Sequence, residues 1–159
     1  MLDPRDKNLL MALQRDARRT NADLAEELGL SLSACAKRVA RLWSEGYLTR
    51  AVALIDRRRF RRPVSAAVLV TLTAPKASVS IDFARRITAC EQVIQCHAVT
   101  GEFDFLLIVQ ERSIEAYHDF AQEVFGEWPS VASYRTNFLL RSFKTENTLP
   151  AFCLTEVED

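Results

Sequence analysis

Residues 20–48, TNADLAEELGLSLSACAKRVARLWSEGYL, decide how this chain is read. Thr20 followed three residues later by Asp23 is a capping-box start, in which each side chain satisfies a free backbone amide of a first helical turn. Leu24, Ala25 and Leu28 then share one face at helical spacing, and Gly29 supplies the left-handed residue that turns the chain out of the helix. Ser31 caps a second helix. There Leu32, Cys35, Val39 and Leu42 recur at three, four and three, predicting one buried stripe, while Ser33, Ala34, Lys37, Arg38 and Arg41 occupy the opposite face.

A helix, a glycine turn and a second helix with these spacings form the helix-turn-helix pattern, whose second helix enters the DNA major groove and meets base edges from its N-terminal end. Small residues at the start of the helix permit close approach. Ser33 can bond a base edge or phosphate, and Lys37, Arg38 and Arg41 can neutralise phosphates or, for arginine, pair with guanine. Taken by spacing alone, the same pattern also describes a helical hairpin with a solvated charged face.

Upstream, Asp3 is placed to cap a first helix with Pro4 at its first position and Asp6 in its first turn, and Leu9, Leu10 and Leu13 give that helix an apolar face. Three helices before residue 45 suffice to enclose a small core. Downstream, Gly46 ends the second helix and releases Tyr47, Leu48, Val52, Leu54 and Ile55 into an extended strand or wing. The run RRRFRRP at 57–63 follows, with five arginines around Phe60. These can grip phosphates beside the groove or serve as a solvated linker.

The 159-residue chain has a formal net charge of zero, but the total conceals an asymmetry. Residues 1–63 carry 14 Lys and Arg against 8 Asp and Glu, and residues 64–159 carry the remaining 7 against 13. A basic module joined to an acidic one is the pattern expected of a nucleic-acid binder with an attached second domain.

From Val64 the pattern becomes strands alternating with helices. VSAAVLVTLT is a β-branched apolar run. Residues 81–90 form a helix with Phe83, Ile87 and Cys90 on one side, and residues 93–99 form a strand. Thr100, Gly101 and Glu102 turn the chain into an apolar strand at 103–109. Ser113 caps a helix bearing Ile114, Tyr117, Ala121 and Val124, closed by Gly126 and Pro129, and residues 131–140 are the last strand. The order βαββαβ predicts a ferredoxin-like sandwich. Leu106 and Ile108 alternate with Phe105 and Leu107, so both sheet faces carry apolar groups, and the uncovered face is expected to pack on another subunit.

Several classes are excluded. Cys35, Cys90, Cys96 and Cys153 have neither the spacing of a zinc site nor the density of a secreted scaffold, which fits a reducing compartment and predicts no metal and no cofactor. The charged start MLDPRDKN lacks the apolar run of a signal peptide, and no stretch reaches the ~20 apolar residues of a membrane span, so the expected setting is the cytoplasm. Cys96 and His97 are adjacent in a strand and point to opposite faces, which denies them a nucleophile–base relationship; with Glu102 and Asp104 also lacking catalytic neighbours, no enzyme and no catalytic residue is expected.

Taken together, LDPRDKNLLMALQRDAR, NADLAEELGLSLSACAKRVARL, EGYL, VTGEFDF and YRTNFLL, in this order over residues 2 to about 144, resemble the Lrp/AsnC, or feast/famine, family of bacterial and archaeal transcription regulators. The resemblance implies an α+β chain with a winged helix-turn-helix DNA-binding domain at 1–48, an extended basic linker at 49–63, a βαββαβ effector and oligomerisation domain at 64–144, and a tail at 145–159 that covers a neighbour or lacks structure. It implies dimers that associate further into tetramers or octamers, double-stranded DNA as partner, and an amino acid as effector. Ser33, Ala34, Lys37, Arg38 and Arg41 correspond to the family's recognition helix. Gly101, Glu102, Phe103 and Asp104 correspond to its effector-pocket turn, and Thr136 to a threonine near that pocket. Chemically, turn amides beside Gly101 can receive a carboxylate and Asp104 can pair with an ammonium group. The chain departs from the family at Arg61, Arg62 and Pro63, where many members carry a glycine. Two functions follow: a sequence-specific regulator responding to an amino acid or related metabolite bound at subunit interfaces, or an architectural oligomer that coats DNA without an effector.

Overall fold

The computed structural model describes residues 2–56, 59–60 and 63–154, so the expectations placed on Arg57, Arg58, Arg61 and Arg62 lie outside the described residues. The chain divides into two compact units, one holding residues up to 55 together with those from 145, the other holding residues 56–144.

The first unit is built from α1 (Pro4–Arg15), α2 (Asn21–Leu28) and α3 (Leu32–Ser44). Both capping boxes form. The Asp6 amide donates to Asp3 at 2.8 Å and the Asp3 amide donates back to Asp6 at 3.0 Å, while Thr20 and Asp23 exchange the equivalent pair. Each such cap contributes about 1 kcal/mol by satisfying amides that the helix leaves open. Gly29 ends α2 at φ +61°, a backbone conformation disfavoured for residues with a Cβ. Leu9, Leu10, Leu13, Leu24, Ala25, Cys35 and Leu42 close the core.

Two expectations for this unit change. Leu32 is not part of the buried stripe: it is the first residue of α3, at the end of the helix where the core gives out, and stays exposed. Residues 47–55, expected as a strand or wing, form no strand, since the chain there lies alongside no partner strand. The last described segment docks on α1. The Gln14 side-chain amide donates to the Leu149 carbonyl at 2.8 Å and accepts from the Leu149 amide at 2.9 Å, and Leu154 packs against the helical core. A single side chain thus satisfies both backbone groups of Leu149.

The second unit follows the expected order: β1 (Val64–Leu72), α4 (Ala77–Ile87), β2 (Val93–Ala98), β3 (Phe105–Glu111), α5 (Ile114–Ala121) and β4 (Val131–Phe138). The strands form one antiparallel sheet in the order β2-β3-β1-β4, the ferredoxin-like arrangement. Its alternation is clean. Ala66, Val68, Val70 and Leu72 of β1 and Phe105, Leu107 and Val109 of β3 are buried, with Phe83 and Ile87 of α4 and Tyr117 and Phe120 of α5 in the same cluster. Helix α5 runs into a π-helical turn at Gln122–Gly126. An i→i+5 turn aligns residues five apart, bringing Phe125 into the core with its ring 5.8 Å from that of Phe120. The opposite face of the sheet presents Ala67, Leu69, Leu106 and Ile108, all half-buried.

Candidate functional site

Helix α3 carries the first set of candidate residues. The Ser31 hydroxyl accepts from the Ala34 amide at 3.2 Å and lies 3.3 Å from the Ser33 hydroxyl, so Ser33 is exposed but already has a local partner. Ala34 is half-buried beside it, and Lys37 is exposed with no ion pair among the described residues. Arg38 and Arg41 turn the other way. Arg38 donates to Asp3 at 2.6 Å and to Asp6 at 2.7 Å, and Arg41 donates to the second Asp6 oxygen at 2.6 Å. Asp6 is 1% exposed. Its burial alone would raise its pKa. Hydrogen bonds from Arg41, from the Asp3 backbone and from Arg38 outweigh that and hold it at about 2, against an ordinary 3.8. A buried carboxylate at the start of α1 therefore clamps two arginines of α3. Arg38 and Arg41 thus tie α3 to the start of α1 while staying partly exposed, and of the five candidate residues Ser33 and Lys37 are the fully exposed ones.

The hairpin between β2 and β3 carries the second set. Gly101 has φ +114°, a region that L side chains rarely adopt. Asp104 closes the hairpin: its amide donates to the Val70 carbonyl at 2.9 Å, its carbonyl accepts from Val99 at 3.0 Å, and its carboxylate accepts from the Leu72 amide at 2.7 Å. One carboxylate oxygen thus continues the β1–β3 ladder past its last regular pair. The outer side chains of the turn meet a residue that sequence reasoning missed. The Arg135 guanidinium lies 5.1 Å from the centre of the Phe103 ring and 3.9 Å from the Glu102 carboxylate. Arg135 sits beside Thr136 on β4, but neighbouring strand residues face opposite ways. The Thr136 hydroxyl accordingly points to the helix side and lies 2.5 Å from the Tyr117 hydroxyl. The hairpin brings together Glu102, Phe103 and Arg135, not Thr136. Only a periodicity reading of YRTNF against the hairpin register could have flagged Arg135.

Comparison with known proteins settles the family. Residues 65–149 match the family model of the Lrp/AsnC ligand binding domain, more than half of the chain, and residues 2–49 match a winged helix-turn-helix DNA-binding model. The chain belongs to the Lrp/AsnC family. Among its relatives, the HTH-type transcriptional regulator Zrp of Zymomonas mobilis is 35% identical over 117 residues, covering 74% of this chain and 76% of that protein. The leucine-responsive regulatory protein of Escherichia coli is 31% identical over 148 residues, covering 93% and 90%. Among solved structures, a transcriptional regulator from Neisseria meningitidis in complex with L-Met superposes with a TM-score of 0.87 at 28% identity, covering 94% of this chain and 97% of that one. An AsnC family regulator from Agrobacterium tumefaciens superposes with a TM-score of 0.89 at 25% identity, covering 97% and 100%.

This Lrp/AsnC chain is thus a transcriptional regulator with a DNA-binding helix-turn-helix unit and a ligand-binding unit, and not an enzyme. Burial pushes the Cys35 and Cys96 thiols up, away from thiolate reactivity. Among the described residues, no helix is long and apolar enough to cross a membrane.

Proposed function

We propose that this regulator reads specific DNA sequences through α3 and changes its assembly when an amino acid binds at the β2–β3 hairpin, at an interface between copies of the chain in the cytoplasm. The observation that carries the effector reading is the Glu102–Phe103–Arg135 grouping. It sets an exposed carboxylate and an exposed guanidinium, loosely paired at 3.9 Å, beside one aromatic ring; a zwitterion entering between them is met on both sides, its carboxylate by Arg135 with turn amides beside Gly101 and its ammonium group by Glu102. The Neisseria relative, with its bound L-Met, supports an amino acid as the ligand class. The apolar sheet face of Ala67, Leu69, Leu106 and Ile108 supports association of copies, which presents several α3 helices to repeated half-sites.

In this reading Asp104 is a structural residue, because its carboxylate already serves the Leu72 amide. That same bond favours the second reading, an architectural oligomer without an effector, in which residues 101–104 are only a turn. Thermal unfolding against each of the twenty amino acids at millimolar concentration separates the two. A ligand bound to the folded state raises the midpoint. The regulator reading requires at least one amino acid to raise it in the wild type and to lose that effect in Arg135→Ala. No shift with any amino acid supports the architectural oligomer.

A further inference from the structure

The DNA-reading face of α3 is poor in available hydrogen-bonding groups. Arg38 and Arg41 are held by Asp3 and Asp6. The Ser31 hydroxyl serves the Ala34 amide, and Ser33 lies against Ser31. Lys37 is the most exposed cation of the helix, Arg38 and Arg41 keeping only their edges in solvent, and the apolar groups left outward are Ala40, half-exposed Ala36, Trp43 near the end of the helix and, most exposed of all at 58%, Leu32 at its start. A single exposed leucine needs no special account in most places. This one starts the helix whose early residues meet base edges, and no core residue covers it.

In the major groove the four base pairs differ in their donors and acceptors, and thymine alone adds an apolar feature, its C5-methyl group. A leucine brought to the groove floor has no hydrogen bond to offer. It gains only by covering apolar surface, and it leaves an unpaired donor or acceptor wherever it covers a polar base edge. We propose that Leu32 is a specificity-determining residue that packs on the C5-methyl group of a thymine in each half-site. The proposal rests on the reading of α3 as the recognition helix. Lys37 supplies phosphate attraction that is blind to sequence, whereas Leu32 discriminates between bases.

The test uses the full-length chain and duplexes that the wild type recovers from a random-sequence pool. In those duplexes each thymine is replaced in turn by deoxyuridine, which keeps every hydrogen-bonding group and removes only the methyl. The wild type should lose threefold or more in affinity at one thymine per half-site, and Leu32→Ala should bind thymine and deoxyuridine duplexes alike. Circular dichroism and the unfolding midpoint of Leu32→Ala should match the wild type, since the side chain is exposed. Equal binding of both duplexes by the wild type, or a full deoxyuridine penalty retained by Leu32→Ala, overturns the role of Leu32 and leaves α3 as the recognition helix. A pool from which the wild type enriches no sequence overturns both readings.

Discussion

The Arg38 guanidinium on α3 donates to Asp6, in the first turn of α1, at 2.7 Å. The two residues are 32 positions apart, and Asp6 also accepts from Arg41. Removing one partner of a buried ion pair costs more than the pair gains by forming, because the other is left uncompensated. Both arginines are partly exposed and can recover hydration, which places the cost of Asp6→Asn at about 2 kcal/mol, below the fully buried range. The midpoint of the N-terminal unit should fall by roughly 8–16 °C, with DNA affinity falling in proportion as α3 loosens. Calorimetry checks it.

The same cluster makes stability depend on pH. Asp6 titrates at about 2 when folded, against 3.8 ordinarily, so its contribution is complete above pH ~4 and is lost as pH falls towards 2. Nearly two units correspond to about 2 kcal/mol. The unfolding midpoint of the wild type should fall across that interval, and that of Asp6→Asn should fall less steeply. Parallel curves would count against the clamp.

Gly101 gives a separate test in the second unit. A Cβ there would meet nothing within 4 Å, so the cost of Gly101→Ala is backbone strain alone, about 1–3 kcal/mol for a non-glycine residue in a sparsely populated region. The midpoint of the sheet unit should fall by roughly 4–24 °C while the helical unit is unchanged. Equal stability would mean that the turn adopts another conformation.

On the helix side of the sheet, Tyr117→Phe removes the hydroxyl that meets Thr136 and keeps the ring packed on Phe138, 5.2 Å away. The loss should be about 1 kcal/mol, the net worth of one hydrogen bond. Because Thr136 faces away from Arg135, amino-acid shifts of the unfolding midpoint should survive the change. Their disappearance would place Thr136 in the effector site.

The elements were largely legible in the sequence because each carries a local signature. Thr20 with Asp23, Asp3 with Pro4, Gly29, and the alternation of Phe105, Leu107 and Val109 all act within a few residues. What was not legible depends on long-range register. Helical periodicity puts Arg38 and Arg41 off the apolar stripe, but it does not say that this flank meets Asp6. Only the pairing of β1 with β3 shows Asp104 reaching the Leu72 amide. Only the pairing of β1 with β4 puts Arg135, beside Leu69, on the open face and Thr136, beside Val68, on the covered one. The π turn after α5 is invisible to a 3.6-residue period, which assigns Val124 to the core and omits Phe125.

In the function proposed for this regulator, α3 meets DNA with Lys37 as its available cation while Arg38 and Arg41 hold the helix in place. The most direct measurement is fluorescence anisotropy of a labelled duplex titrated with wild type and Lys37→Ala across a range of salt concentrations. Removing the neutralisation of one phosphate flattens the slope of log affinity against log salt by about 0.9. Lys37→Ala is expected to weaken binding to all duplexes alike, to flatten the slope by about that amount for each protomer on the DNA, and to leave the unfolding midpoint unchanged. Wild-type affinity with an unaltered slope in Lys37→Ala would contradict this role for α3.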